Sequence, residues 1–226
     1  MKKSFKTVLL ISMGMMMAFS TKSQVIQTVK SPENIHSGIF RLNPKSDGLK
    51  GTPFLFEEPP LGNISLSNGK HYEEIPFNIL LETSKVYIQT GGDDSQPLEL
   101  RNWDWIKVGM EEERLFRMEY ISGKPQIAEI LYEKEKEKYI AIHTKTLVQA
   151  TGSRDGYSGP QYDTYKAGID FLLINGMQSS EIKTNSAGLK DLAGDKYDDL
   201  KVFIKSKKIK PENPTDMRKI LIFLFD

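Results

Sequence analysis

Asn63-Ile64-Ser65-Leu66-Ser67-Asn68-Gly69-Lys70-His71-Tyr72-Glu73-Glu74-Ile75-Pro76-Phe77 is the stretch that decides the fold class. Ile64 and Leu66 alternate with polar neighbours, which is the two-residue period of a half-buried strand. Asn68-Gly69 supplies residues that tolerate a left-handed backbone, the strongest tight-turn signal in the chain, and residues 71–77 return. The segment reads as a β-hairpin.

The same period continues outward. Ser84-Lys85-Val86-Tyr87-Ile88-Gln89 alternates, and Gly91-Gly92-Asp93-Asp94-Ser95 reads as an open turn. Pro97-Leu98-Glu99-Leu100, Trp103-Asp104-Trp105-Ile106-Lys107-Val108 and Leu115-Phe116-Arg117-Met118-Glu119-Tyr120 follow, then residues 127–132. Residues 133–138 alternate acid and base strictly and read as a solvated hairpin tip before a strand over 139–148. Residues 151–160 form a polar loop rich in glycine, and residues 166–175 a last strong strand. Upstream, Thr52-Pro53-Phe54-Leu55-Phe56 is apolar but ends at Glu57-Glu58-Pro59-Pro60, where two prolines cannot donate to a ladder.

Beyond residue 182 the period changes to that of a helix. Residues 187–192 predict a short helix that stops near Gly194. Tyr197, Leu200, Phe203 and Ile204 define a second, with acids near its start and lysines at its end. Asn213-Pro214 reads as the N-cap and first residue of a third, whose buried face is Met217, Ile220, Leu221 and Leu224. The fold class expected is therefore α+β: a mostly antiparallel, twisted β-sheet, either an open barrel or a sandwich-like pair of stacked sheets, with two to three C-terminal helices. The division expected is a signal peptide at 1–23, an irregular segment at 24–50, a β-rich body at 51–182 and a helical segment at 183–226 packed on it.

The N-terminus reads as an export address. Lys2, Lys3 and Lys6 precede a nearly unbroken apolar run over residues 7–19, too short to span a bilayer comfortably. Small residues place cleavage near Ser20 or Ser23. Removal of residues 1–23 takes four lysines and no acid, which turns the formal charge from +1 to −3. A cysteine-free exported chain belongs in the periplasm or outside the cell; without Cys there is no disulfide, thiolate site or lipid-anchoring cysteine. The 226 residues are 38% hydrophobic and 27% charged, a balance that allows a sizeable core and lacks the basic excess of a nucleic-acid binder. No later segment is apolar enough for a transmembrane span.

The common chemistries are missing. Gly62 and Gly69-Lys70 do not have phosphate-loop spacing, and neither a dinucleotide fingerprint nor a Gly-x-Ser-x-Gly elbow occurs. Ser-x-x-Lys occurs at Ser67/Lys70 and Ser180/Lys183, as often as composition alone gives. His36, His71 and His143 lie far apart in sequence, so no metal site and no cofactor are expected. The acidic doublets Glu57-Glu58, Glu73-Glu74, Asp93-Asp94 and Asp198-Asp199 are turn or cap residues; on a strand, neighbours point to opposite faces. The lysines Lys201, Lys205, Lys207, Lys208 and Lys210 read as a solvated helix face.

Aromatic residues supply the candidate ligand contacts. Trp103 and Trp105 sit two apart and are expected to share one strand face, either in the core or as a stacking platform. Tyr157 and Tyr162 flank the polar loop. The expected function is that of an exported, non-enzymatic binding or assembly module of the bacterial envelope, with an envelope protein or a glycan as partner. The alternatives are a glycan-directed hydrolase with paired carboxylates and a glycan-binding module.

Lys50-Gly51-Thr52-Pro53-Phe54-Leu55, Gly62-Asn63-Ile64-Ser65-Leu66, Ile75-Pro76-Phe77-Asn78, Glu129-Ile130-Leu131-Tyr132-Glu133 and the run from Leu200 to Lys210 resemble a family of small exported Bacteroidota-type proteins of unknown function. The resemblance implies export, a strand-rich body and a Lys-rich helical tail, and brings no catalytic residues with it.

Overall fold

The computed structural model describes residues 46, 48–89, 96–109, 113–151 and 161–226. The expected leader, the turn at 91–95, Tyr157, His36 and nearly all of the polar loop lie outside these residues. Among these residues eleven strands form one open sheet: β1 (Leu49–Lys50), β2 (Leu61–Leu66), β3 (His71–Leu80), β4 (Lys85–Ile88), β5 (Leu98–Leu100), β6 (Trp103–Val108), β7 (Arg114–Ile121), β8 (Lys124–Lys134), β9 (Glu137–Val148), β10 (Asp163–Asn175) and β11 (Gln178–Glu181). Three helices follow: α1 (Ser186–Ala193), α2 (Tyr197–Lys207) and α3 (Pro214–Phe225). The class is α+β and mostly sheet.

The strand order is β1-β10-β9-β8-β7-β6-β2-β3-β4-β5, with β11 pairing β10, so the sheet does not close. Every ladder is antiparallel except β1 with β10. The Asn68-Gly69 turn joins β2 to β3, with Gly69 at φ +81° and its N–H donating to Leu66 O at 2.9 Å. β3 serves two neighbours: residues 71–76 pair with β2, and residues 77–80 pair with β4. Phe54 makes only an isolated bridge to Leu80, as suits a segment that ends at two prolines.

The helices cover one face of β8, β9 and β10. Tyr139, Ala141, Phe171 and Leu131 meet Leu200, Met217, Ile220, Leu221 and Leu224 there. Burying each large apolar side chain in such a layer contributes roughly 1.5–3 kcal/mol. The opposite face carries Ile121, Ala128, Ile130, Ile140, Ile142 and Ile174. A third cluster of Ile64, Phe77, Ile79, Val86, Ile106 and Phe116 fills the N-terminal half. Helix α3 starts where its sequence says: the Asn213 side chain accepts from the N–H groups of Thr215 and Asp216, and Pro214 stands in the first turn. Arg218 then fixes α3 to the sheet. It donates from Nη2 to Ile130 O at 2.8 Å and from Nε to Leu131 O at 3.1 Å, beside the bulge between Ile130 and Tyr132.

Candidate functional site

Strand register assembles the site. Glu129 of β8 pairs with Phe116 of β7 on one side and Ala141 of β9 on the other. Two residues along each neighbour, on the same face, stand Arg114 and His143. The three side chains therefore meet although nothing in the local sequence links them. Arg114 donates from Nε to Glu129 Oε1 at 3.0 Å and from Nη2 to Oε2 at 2.8 Å, a bidentate pair. His143 Nε2 lies 2.7 Å from Oε2.

Glu129 is 1% exposed. Burial pushes its pKa up, but the hydrogen bonds from His143 and Arg114 and their charges more than offset this and bring it down to about 2. Glu129 is thus an anion that accepts from both partners, so Nε2 of His143 carries the hydrogen in the shared bond. The 3.4 Å contact between Arg114 Nη2 and His143 Nε2 is the approach of two donors to one oxygen. His143 Nδ1 and Arg114 Nη1 have no hydrogen-bond partner among the described residues.

The surroundings hold Arg114 in place. Its Cζ lies 5.3 Å from the Phe56 ring centroid and 5.1 Å from that of Phe116. Phe56 is positioned in turn by Asn78, whose side chain accepts from Phe56 N at 3.1 Å and donates to Phe56 O at 2.9 Å. Above Arg114 and His143 opens a cleft of about 270 Å³. Leu55 and Leu81, and Pro214 and Thr215 at the start of α3, are among the residues that line it. Lys145 borders it and is held by Glu57 at 3.0 Å. A second cleft of about 270 Å³ shares His143, Thr144 and Lys145 and adds Glu82, Ser84 and Gln126. Glu129 lines neither; it lies beneath its two partners.

The aromatic candidates fall elsewhere. Register shifts between Ser65 and Leu66, so Trp105 pairs with Ser65 while Trp103 pairs with Leu66, and Asp104 is the extra residue of a bulge. The shared face expected from the two-residue spacing is therefore lost, because a bulge inverts the alternation. Trp103 packs on the Ile64 and Phe77 cluster. Trp105 stacks on His71 with centroids 5.8 Å apart, over the buried Ser65, and Lys107 Nζ lies 5.4 Å from its ring. Tyr162 sits beneath Lys50, whose Nζ is 3.8 Å from the ring centroid. These three residues are not brought together, and Tyr157 lies outside the described residues.

Of the acidic doublets, Glu57 holds Lys145, and Asp198 pairs with Lys201 at 2.7 Å in the first turn of α2. Among the described residues no group of three or more His, Cys, Asp or Glu is arranged to hold a metal ion, and no helix is long and apolar enough to cross a membrane. The sequence reading passed over Glu129. The available signal was a carboxylate inside the apolar strand Ile127-Ala128-Glu129-Ile130-Leu131, where an unpaired charge is too costly to bury.

No protein-family model, no curated protein and no solved structure matches the chain.

Proposed function

We propose that this chain is an exported module of the bacterial envelope that binds its ligand and does not cut it. One observation carries the reading. The carboxylate at the centre of the site, Glu129, is sealed beneath Arg114 and His143 and held ionised, while no carboxylate among the described residues lines the cleft above Arg114. Glycoside hydrolysis needs two carboxyl groups facing across the sugar, one of them protonated to act as acid. Glu129 has neither the proton nor a facing partner there. What remains is a preformed cleft with a rigid arginine, an imidazole and apolar walls, the mixture that small-molecule sites use. The lysine-flanked apolar leader supports export.

The test has two arms. The purified chain is incubated with envelope and plant polysaccharides, and reducing ends are counted; none is expected. Release of reducing ends that disappears in Glu129→Gln would refute the reading. In the source cell, fractionation and N-terminal sequencing are expected to find the chain outside the cytoplasm, beginning just after Ser20 or Ser23.

A further inference from the structure

The sheet has a gap in one edge. β10 pairs with β9 over residues 164–175. On its other side β1 covers only residues 163–164 and β11 only residues 172–175. Residues 166–170 between them have no strand partner on that side among the described residues. Asp163 N donates to Gly48 O at 3.0 Å and Phe171 O accepts from Ile182 N at 2.8 Å, so residues 163 and 171 both turn their peptide groups to this edge. The register with β9 runs without a shift between them, and the two-residue period therefore turns Ala167 and Ile169 the same way. The N–H and C=O groups of these two residues have no partner among the described residues. Such a row is a template for another strand. A cleft of about 620 Å³ opens on it, bounded by residues 167–171 of β10 and by residues 181–185 after the end of β11, a size suited to a bound ligand.

The ends of the gap limit what enters. At one end Gly51, just past β1, lies so near Tyr165 that a Cβ on it would be 3.5 Å from the Tyr165 Cβ; at the other end Ile182 is bonded to Phe171. The open length is about 17 Å at the rise of an extended chain. The 13-residue β10 of a second copy does not fit, because β1 and β11 stand in its line. A short extended segment that leaves the sheet at either end does.

Side chains along the gap set its chemistry. Lys166 and Asp170 are exposed and have no ionic partner among the described residues. Ala167 and Ile169 point to the opposite face from them, and Ile169 is an exposed large apolar residue. In an antiparallel pairing, residues opposite Ile169 and Ala167 exchange two hydrogen bonds with each and satisfy every open group. Residues directly opposite also touch through their side chains, so charges pair with Asp170 first and Lys166 last.

We propose that this gap takes an extended five-residue peptide segment of a partner protein, antiparallel to β10. The segment is basic at its first residue, apolar at its second and fourth, and acidic at its fifth.

The test is an amide NMR titration of the full chain with the blocked peptide Lys-Val-Thr-Val-Glu. Its controls are the charge-reversed Glu-Val-Thr-Val-Lys and a copy of the first peptide N-methylated at both valines. Hydrogen exchange at the Ala167 and Ile169 amides is expected to slow on adding the first peptide, while Gly168, whose N–H faces β9, stays unchanged. N-methylation removes the donors to Ile169 O and Ala167 O and is expected to weaken binding at least about tenfold. Charge reversal is expected to weaken it about fivefold. In Lys166→Glu/Asp170→Lys, a pair of exposed substitutions that leaves the core alone, the preference between the two charged peptides is expected to invert. Overturning results are equal binding of the N-methylated peptide, tighter binding of the reversed peptide by the wild type, or no response of the Ala167 and Ile169 amides to any peptide. A dimer that the first peptide splits would give the gap to a second copy and overturn the assignment as well. None of these results bears on the Arg114 cleft, whose reading fails only when reducing ends appear.

Discussion

Replacing Glu129 by Gln removes the one ionised carboxylate at the centre of the site and keeps its volume. In the folded chain the carboxyl titrates at about 2, against an ordinary 4.5. That gap corresponds to about 3 kcal/mol of folding stability, undiminished by solvent because the side chain is buried. The folded value lies below the unfolded one. The stabilisation is therefore fully present above pH 4.5 and is lost as the pH falls through about 2. Urea unfolding of the wild type and Glu129→Gln at pH 7, 5, 4 and 3 measures it, because the remaining carboxylates titrate alike in both chains. At pH 7 the variant is expected to be less stable by about 3 kcal/mol, and the difference to narrow by about 2 kcal/mol on reaching pH 3. A difference that stays constant across this range would refute the claim that Arg114 and His143 hold Glu129 as an anion. So would a variant as stable as the wild type at neutral pH.

Three further substitutions probe the frame around the site. Met217→Ala, at a wholly buried position on the inner face of α3, is expected to lower the urea midpoint by an amount equivalent to about 2–5 kcal/mol with an unchanged slope. Asn213→Ala removes the acceptor for the N–H groups of Thr215 and Asp216 at the start of α3 and is expected to cost about 1 kcal/mol in the same assay. Gly62→Ala places a Cβ 2.5 Å from Phe77 Cε1 and 3.1 Å from Lys107 O, in the middle of a packed cluster. It is expected to cost about 1–3 kcal/mol, and a neutral result would mean that the β2–β3–β6 packing is looser than described.

The fold was legible wherever its signals are local. The hairpin turn at Asn68-Gly69 and the N-cap of α3 at Asn213-Pro214 are each written within a few residues. So is the buried stripe Met217, Ile220, Leu221 and Leu224, whose members are at most 4% exposed. The apolar periods of two and of 3.6 change over near residue 182; β11 ends at Glu181 and α1 begins at Ser186. The short strand β11 had no apolar period to announce it, since Gln178-Ser179-Ser180-Glu181 is exposed throughout and pairs only through its backbone.

Alternation failed where a strand carries an extra residue. The bulge at Asp104 turned Trp103 into the core and left Trp105 to stack on His71, and no residue type near it marks the insertion.

The sequence by itself determined the class of fold, the tight turn between β2 and β3, the start of α3 and the faces that α2 and α3 bury, because those depend on steric and hydrogen-bonding preferences over one or two turns of chain. The tertiary structure alone decided the site. Arg114 and Glu129 are 15 residues apart and Arg114 and His143 are 29 apart. They meet because the registers of β7, β8 and β9 set three side chains on one face, and because burial leaves the Glu129 charge no partner but those two among the described residues. Register is a property of paired strands, and the stability of a buried charge is a property of everything around it. Neither is encoded at any single position.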